Sequence, residues 1–417
     1  MEGVLEGALR GAPVQQRDAA QAELIERVRA AIEQRQAAAA EDTQTGTLCV
    51  RGSGSKDFLG GPLHGEVLST GALRGISSYE PSELVITARA GTPLAEVEAV
   101  LAERGQCLAF EPPRLGPSIA EGRLAGGAKG TTAMAGATGM TVATGTLGGV
   151  VAAGLAGPSR AAAGGVRDFM LGATVLNGRA EVLSFGGQVM KNVAGYDLAR
   201  LMAGSMGVFG VVLEASIKVL PVAPATVTLR FDMDEHIALG RLQEWAGQPL
   251  PIHASAWWEG VLVLRLSGAR AAVQSARERL GGELIGADLA SVFWTGLRDQ
   301  QEEFFAQAQQ VVAQLGQLWR VAVPQTTPPL GVRGLGSTLI EWGGAQRWVL
   351  VAPGDDATGR ALMKAARGAG GHAQVFRGPG SGRTLELDPV LLRIHRQLKS
   401  AFDPHGLFNR GRLHPDF

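Results

Sequence analysis

Three glycine-rich turns, each beside an apolar run, constrain this chain more than any other feature. They are Arg51-Gly52-Ser53-Gly54-Ser55-Lys56, Gly145-Thr146-Leu147-Gly148-Gly149 and Gly204-Ser205-Met206-Gly207-Val208-Phe209-Gly210. Glycine lets the main chain reach positive φ and approach a ligand closely, and the successive N–H groups of such turns form a nest for an anion. The first turn follows Leu48-Cys49-Val50 and reads as a strand running into a loop that adds two hydroxyls and an ammonium to its backbone donors. It is not GxGxxG, because Asp57 holds the last position, where a carboxylate repels a phosphate. A nicotinamide Rossmann site is therefore disfavoured. Gly126-Gly-Ala-Lys-Gly-Thr is no P-loop either, since its lysine precedes the closing glycine. Each turn alone reads as a hairpin or a strand entry; the three together read as one cofactor site.

Composition sets the limits. At 417 residues and 45% hydrophobic content, the chain can bury two cores of ordinary domain size. Lysine plus arginine equals aspartate plus glutamate at 39 each, so no basic field argues for nucleic acid or anionic lipid. Cys49 and Cys107 are the only cysteines and stand in apolar contexts, which disfavours a disulfide scaffold, a thiolate metal cluster or an iron–sulfur centre. The acidic N-terminal stretch lacks the apolar core of a secretory signal, and no run of 18 apolar residues follows. The expectation is a cytoplasmic protein without a membrane span, or one held at a membrane through partner subunits.

Periodicity divides the chain into an N-terminal helical segment (1–46), a first domain (47–222) and a C-terminal α+β domain (223–417). In the first segment Leu24, Ile25, Val28 and Ile32 recur at helical spacing over residues 18–40 and are expected to pack on the first domain. In the first domain Thr92 offers an N-cap with Pro93 at N1 of a helix that stops at Gly105. Residues 211–218 alternate like a strand after their first positions. Beyond Pro221 the pattern β (226–231), α (235–246), β (252–258), β (261–266), α (269–280), β (283–285) is the order of a ferredoxin-like unit. A second set, ending in a helix over 358–369 and a strand over 373–376, has a similar order. The Gly/Ala-rich stretch 115–143 reads as a solvated insertion before it reads as a lid.

The ordered set RGSGSKDF, the stretch from GISSYEPSELV to AFEPP, GTLGGVVAAGLAGP, GGVRDFMLGATVLNG, residues 186–220 and the C-terminal FDPHGLFNRGRL resembles the flavoproteins with a vanillyl-alcohol-oxidase, or PCMH-type, FAD-binding domain. Within them the match is to FAD-binding subunits of bacterial glycolate oxidases. The resemblance implies an α+β fold in which a PCMH-type domain precedes a smaller, mainly antiparallel, ferredoxin-like domain whose tail returns to the FAD domain. It implies FAD as cofactor, held by Gly52, Ser53, Gly54, Ser55 and Lys56 at the pyrophosphate. Thr146, Leu147, Gly148 and Gly149 would lie at the flavin and pyrophosphate, and the backbone of Gly210, Val211 and Val212 at the adenine half. Relatives often carry Asn after the double glycine, where this chain has Val150. No histidine stands in the first turn, so FAD is expected to be noncovalent; His64 is the nearest. The implied partners are a catalytic flavoprotein subunit, an iron–sulfur subunit and a small 2-hydroxy acid as the substrate of the complex.

A reduced flavin needs positive potential or N–H donors near N1 and the C2 oxygen, which Lys191, Asn192 or the backbone beside them could supply. Asn192 and Asp197 could equally cap a helix over 198–202. The seven histidines are scattered, and His372 in GAGGHAQ has no second histidine at metal spacing. Arg333, Arg347 and Arg377 are candidate grips for a carboxylate. Three readings compete: a flavin subunit without its own substrate site, an independent FAD-dependent 2-hydroxy-acid dehydrogenase, and a nicotinamide-dependent dehydrogenase. The missing histidine set favours the first over the second, and the missing GxGxxG disfavours the third.

Overall fold

The computed structural model describes residues 14–39, 42, 44–115, 145–187, 197–381 and 387–417. Helix α1 (Val14–Ala37) lays Leu24, Val28 and Ala31 against Leu48, Leu68 and Leu407, closing one side of the first domain. Strands β1 (Leu48–Arg51) and β2 (Glu66–Ser69) form a parallel pair. The elements that follow are β3 (Ile76–Glu80), β4 (Val85–Arg89), α2 (Leu94–Ala102), the short β5 (Gln106–Cys107), α3 (Leu147–Ala153), α4 (Arg160–Ala163), α5 (Val166–Phe169), β6 (Met170–Leu176), β7 (Val182–Gly186), α6 (Leu198–Leu201), β8 (Val211–Lys218) and β9 (Leu220–Pro221). A five-stranded antiparallel sheet runs β3-β4-β8-β6-β7.

The alternation expected over 211–218 is replaced by near-complete burial. β8 is the central strand: Val212 and Ile217 belong to the core with α2 and α3, while Val211 and Leu213 face the layer of α1, β1 and β2. A strand covered on both faces loses its period-2 signature. Thr92 does not cap α2 either. Its hydroxyl is committed to the backbone N–H of Gly75 at 3.0 Å, and Pro93 takes the N-cap position without a side-chain bond.

The second domain comprises β10 (Ala225–Asp232), α7 (Glu235–Ala246), β11 (Ile252–Trp258), β12 (Val261–Gly268), α8 (Arg270–Leu280), β13 (Glu283–Ile285), α9 (Ala287–Asp299), α10 (Glu303–Ala313), β14 (Gln317–Ala322), β15 (Thr338–Glu341), β16 (Gln346–Val351), α11 (Asp356–Gly368) and β17 (His372–Arg377). Its strands form one eight-stranded sheet, β13-β10-β12-β11-β15-β16-β14-β17. Each half places its first and fourth strands outermost, and the two second strands, β11 and β15, pair antiparallel at the seam. Two ferredoxin-like units thus share one sheet, the second lacking a helix between β14 and β15. One face is covered by α7, α8 and α11. The other carries α9 and α10 and meets the first domain through Leu115 and Leu155.

Helix α12 (Pro389–Phe402) and the residues after it lie on the first domain. Buried Lys399 ties them down: its ammonium donates to Asp403 at 2.6 Å and to the carbonyls of Val208 and Phe408 at 2.8 Å. The domains are also joined directly. Arg265 on β12 reaches both carboxylate oxygens of Glu111 at 2.8 Å, and Trp342 donates to the carbonyl of Gly157.

Candidate functional site

The first turn starts where β1 ends. Gly54 sits at φ +80°, conformationally open to glycine and strained for other residues. Gly52 has no room for a side chain, since a Cβ there would lie 2.6 Å from the Thr146 hydroxyl. Asp57, whose charge counted against a phosphate, pairs with Arg51 at 2.5 Å, so the turn carries its own neutralisation. What remains is Lys56. It is 9% exposed, its ammonium donates a long hydrogen bond of 3.4 Å to the Ser55 hydroxyl, and it makes no ion pair among the described residues. Burial pulls its pKa down from 10.5 to about 8.

The second turn meets the first at that ammonium. Gly145 has φ +98°, and a Cβ on it would stand 3.2 Å from Lys56 Nζ and 3.4 Å from Ser55 Oγ. Thr146 is the N-cap of α3, its hydroxyl accepting from the Gly149 N–H at 3.2 Å. Leu147 and Gly148 have a packing role: Leu147 is fully buried, and a Cβ on Gly148 would lie 2.7 Å from that of Ala90. Val150 is in the core as well. Gly149 lines a cavity of about 70 Å3 together with Ser53, Gly54, Ser55, Lys56 and Asn409.

This narrow cavity runs into a wider one. Ala153, Met206 and Arg412 line both, and the second, of about 350 Å3, lies between the domains with Phe58, Leu155, Gly204, Arg320, Phe376 and Phe417 on its walls. The third turn therefore contributes through Gly204 and Met206. Gly210, Val211 and Val212 line neither: Gly210 (φ +150°) packs on the carbonyl of Leu176, and both valines are buried in the sheet core. Lys191 and Asn192 lie outside the described residues, as does nearly all of 115–143. Asp197 caps α6, accepting from the Arg200 N–H.

Reading the sequence missed Asn409, Arg412, Met206 and Arg320 as individual residues. Asn409 pins the first turn to the third: it accepts from the Val50 N–H at 2.7 Å and donates to the Met206 carbonyl at 2.5 Å. Arg412 donates to the carbonyls of Asp57 and Gly61. Their signal lay in the C-terminal FNRGRL, but spacing cannot show a contact across hundreds of residues. Of the candidate carboxylate grips, Arg347 is fully buried and spent on the carbonyls of Gly344, Thr327 and Pro328. Arg377 lies over the Phe58 ring at 3.7 Å, and Arg333 lines neither cavity. His372 is on edge strand β17, its pKa lowered by burial and by the charge of Arg320. Among the described residues no three His, Cys, Asp or Glu side chains come together as metal ligands.

The residues fit a dinucleotide. A buried ammonium with no counter-ion among the described residues, facing glycines where side chains would intrude, suits a phosphate at the narrow end. The wide end offers apolar walls for a ring.

Residues 28–143 match the FAD binding domain family. Over 369 residues the chain is 42% identical to glycolate oxidase subunit GlcE of Escherichia coli (strain K12), covering 88% of this chain and 93% of that protein. The chain belongs to the GlcE family. It is also 41% identical over 66 residues to glycolate oxidase subunit GlcD of Bacillus subtilis (strain 168), and 28% identical over 163 residues to D-lactate dehydrogenase of Anaerostipes hadrus. These cover 16% and 39% of the chain, and 14% and 34% of those proteins. Among solved structures, alkyldihydroxyacetonephosphate synthase superposes with a TM-score of 0.56 at 13% identity, over 87% of this chain and 71% of its own, which establishes a shared fold. The cofactor of this GlcE-family chain is FAD, and the first glycine turn lies inside the matched FAD binding domain. Among the described residues no helix is long and apolar enough to cross a membrane.

Proposed function

We propose that this chain is the FAD-carrying subunit of a complex that oxidises small 2-hydroxy acids, glycolate to glyoxylate, and that it works beside a catalytic flavoprotein subunit and an iron–sulfur subunit that lead the electrons to an acceptor. The observation that carries this reading is the cavity that begins at the buried Lys56 ammonium, which makes no ion pair among the described residues, and opens between the two domains. Bound FAD supplies a two-electron acceptor that can release electrons to a second carrier. The chain's own residues bind and orient it. The N–H groups of 52–56, the hydroxyls of Ser53 and Ser55 and the Lys56 ammonium take the pyrophosphate. Thr146 shapes the second turn and Gly149 leaves room beside it. From the third turn it is Gly204 and Met206 that face the cavity, while Gly210–Val212 pack in the sheet core; Lys191 and Asn192, outside the described residues, are the candidates for the N1–C2 edge of the ring. Residues 47–222 form the cofactor domain, 1–46 its helical support, and 223–417 the covering domain with a returning tail.

Two further considerations support the subunit role. The described residues hold no metal-ligating cluster and no cysteine-rich motif, so the iron–sulfur chemistry belongs to another chain. With no membrane-crossing helix among the described residues, attachment to a membrane would go through partners. The test is to purify the chain alone. It should carry FAD that acid precipitation releases into the supernatant, and glycolate or lactate should reduce that flavin only after the partner subunits are added. Rapid reduction of the lone chain's flavin, about 1 per second or faster, would make it an independent dehydrogenase.

A further inference from the structure

The wall of the wide cavity opposite the glycine turns is built by the covering sheet, and register decides what it presents. On β14, Arg320 stands opposite Trp348 of β16 on one side and Gln374 of β17 on the other, on the sheet face that meets the first domain. Its guanidinium packs on the rings of Trp342 at 5.4 Å and Trp348 at 5.8 Å. Its Nε donates to Gln346 Oε1 at 2.7 Å. Gln346 in turn donates to Glu341 at 3.1 Å, and the same carboxylate oxygen accepts from the Trp348 indole at 2.6 Å. The two terminal nitrogens of Arg320 make no hydrogen bond or ion pair among the described residues, and the residue lines the cavity with Gln374 beside it. An arginine held by one edge, with its planar fork directed away from its holder, is the geometry that recognises a carboxylate bidentately.

The electrostatics agree. Arg320 lies deep in the protein yet keeps partial exposure, because the cavity opens onto it. Burial, followed by the repulsion of Arg160, brings its pKa down to about 10, so the cation is under-neutralised where it stands. Arg160 occupies the same aromatic group, 4.8 Å from the Trp342 ring. Glu341, the carboxylate whose charge acts on Arg320, is pushed up by burial to about 7 and offers only a partial counter-charge near neutrality.

We propose that Arg320, oriented by Gln346 through Glu341 and Trp348, forms a binding site for the carboxylate of a small organic acid within this subunit. The inference rests on the flavin reading of the cavity only for size: a ring fills much of the volume, and what remains admits a small acid. It is a claim about binding and not about turnover. Arg320 is the anchor, and Gln346 is a positioning residue.

Oxalate and acetate, with acetamide as the neutral control, serve as probes. Binding to the FAD-loaded chain is read by calorimetry and by perturbation of the flavin's visible spectrum. Oxalate should bind and acetamide should not. Arg320→Met should weaken oxalate about 10- to 100-fold, the loss expected for charge-assisted hydrogen bonds. Gln346→Leu should weaken it less while FAD content stays unchanged, and Arg320→Lys should recover only part of the affinity. Arg320→Lys keeps the cation, so it also serves if Arg320→Met fails to fold. FAD-loaded parent protein that ignores oxalate, or Arg320 variants that bind it as the parent does, overturns the site and leaves the cofactor reading standing. Variants that lose FAD while oxalate never binds assign Arg320 to the flavin and also overturn the proposal. A chain that takes up no FAD at all is a failure of the proposed function, seen before any acid is added.

Discussion

Lys56 and Gly145 face each other across the narrow end of the cavity, close enough that a side-chain carbon on the glycine would stand 3.2 Å from the ammonium. One turn supplies a buried cation, and the other sets a glycine at φ +98° in front of it. In the function proposed above, a pyrophosphate is the partner of this ammonium. Lys56→Met should therefore fold and lose FAD affinity by about 10- to 100-fold, the worth of hydrogen bonds to a charged group. Equilibrium titration of the apo chain with FAD measures the change.

The same lysine gives FAD affinity a pH dependence. In the apo chain burial lowers its pKa to about 8, and a bound phosphate raises it again, so the complex holds more protons than the free components above pH 8. At neutral pH Lys56 is charged in both states and no proton is taken up. Affinity should then be level near pH 7 and fall as pH rises through about 8, with proton uptake in calorimetry run in buffers of different ionisation enthalpy. Lys56→Met should flatten the profile; a slope that persists in the variant would move the titration to another group.

Gly148 and Gly149 are neighbours in sequence with different expected phenotypes. A side chain on Gly148 runs into Ala90, both its Cβ at 2.7 Å and its carbonyl at 2.9 Å. Gly148→Val should cost about 1–3 kcal/mol of stability by overpacking, visible as a lower melting temperature even without flavin. Gly149 faces the cavity and meets only the Thr146 hydroxyl at 3.3 Å. Gly149→Ala should leave the apo melting temperature near that of the parent and reduce FAD affinity. Equal melting shifts for the two would contradict the division drawn between packing and ligand glycines.

How much of this was legible in the sequence depended on whether the signal was local. The order of the covering domain was legible from short apolar runs alternating with segments of helical spacing. Its merger into one sheet through β11 and β15 was not legible, because no sequence pattern encodes pairing between distant strands. The first and second turns could be located from glycine spacing and the strand preceding the first. The roles within them could not: Gly148 and Gly149 differ only by what lies opposite in space. Arg347 and Arg320 show the same limit. Both are strand arginines in apolar surroundings, yet one is consumed by three backbone carbonyls and the other borders a cavity. β8 was legible as a strand, but its burial on both faces was not: the alternation read over 211–218 is replaced by near-complete burial.

The joint between domains supplies the last prediction. Glu111, at φ +47°, accepts both Arg265 contacts at 2.8 Å and the N–H of Ser159 at 2.9 Å, with His253 nearby. Burial alone would raise its pKa, but the Arg265 guanidinium, His253 and the Ser159 N–H together hold it below the ordinary glutamate value. A depressed carboxylate contributes stability that is complete above its unfolded-state pKa of 4.5 and is lost as pH falls through the lower folded value. Removing one partner leaves the other charged and buried, so Glu111→Gln and Arg265→Met should each lower stability at neutral pH by about 3–5 kcal/mol. The double variant should be less destabilised than the sum of the singles, because each single already removes the pair. Denaturant unfolding at pH 7 and pH 4 reads all three: the loss from Glu111→Gln should be smaller at pH 4, just below the unfolded-state value, where the unfolded parent takes up a proton on the same carboxylate and the pair's contribution begins to fall. Additive losses with no pH dependence would mean that the ion pair does not couple the two domains.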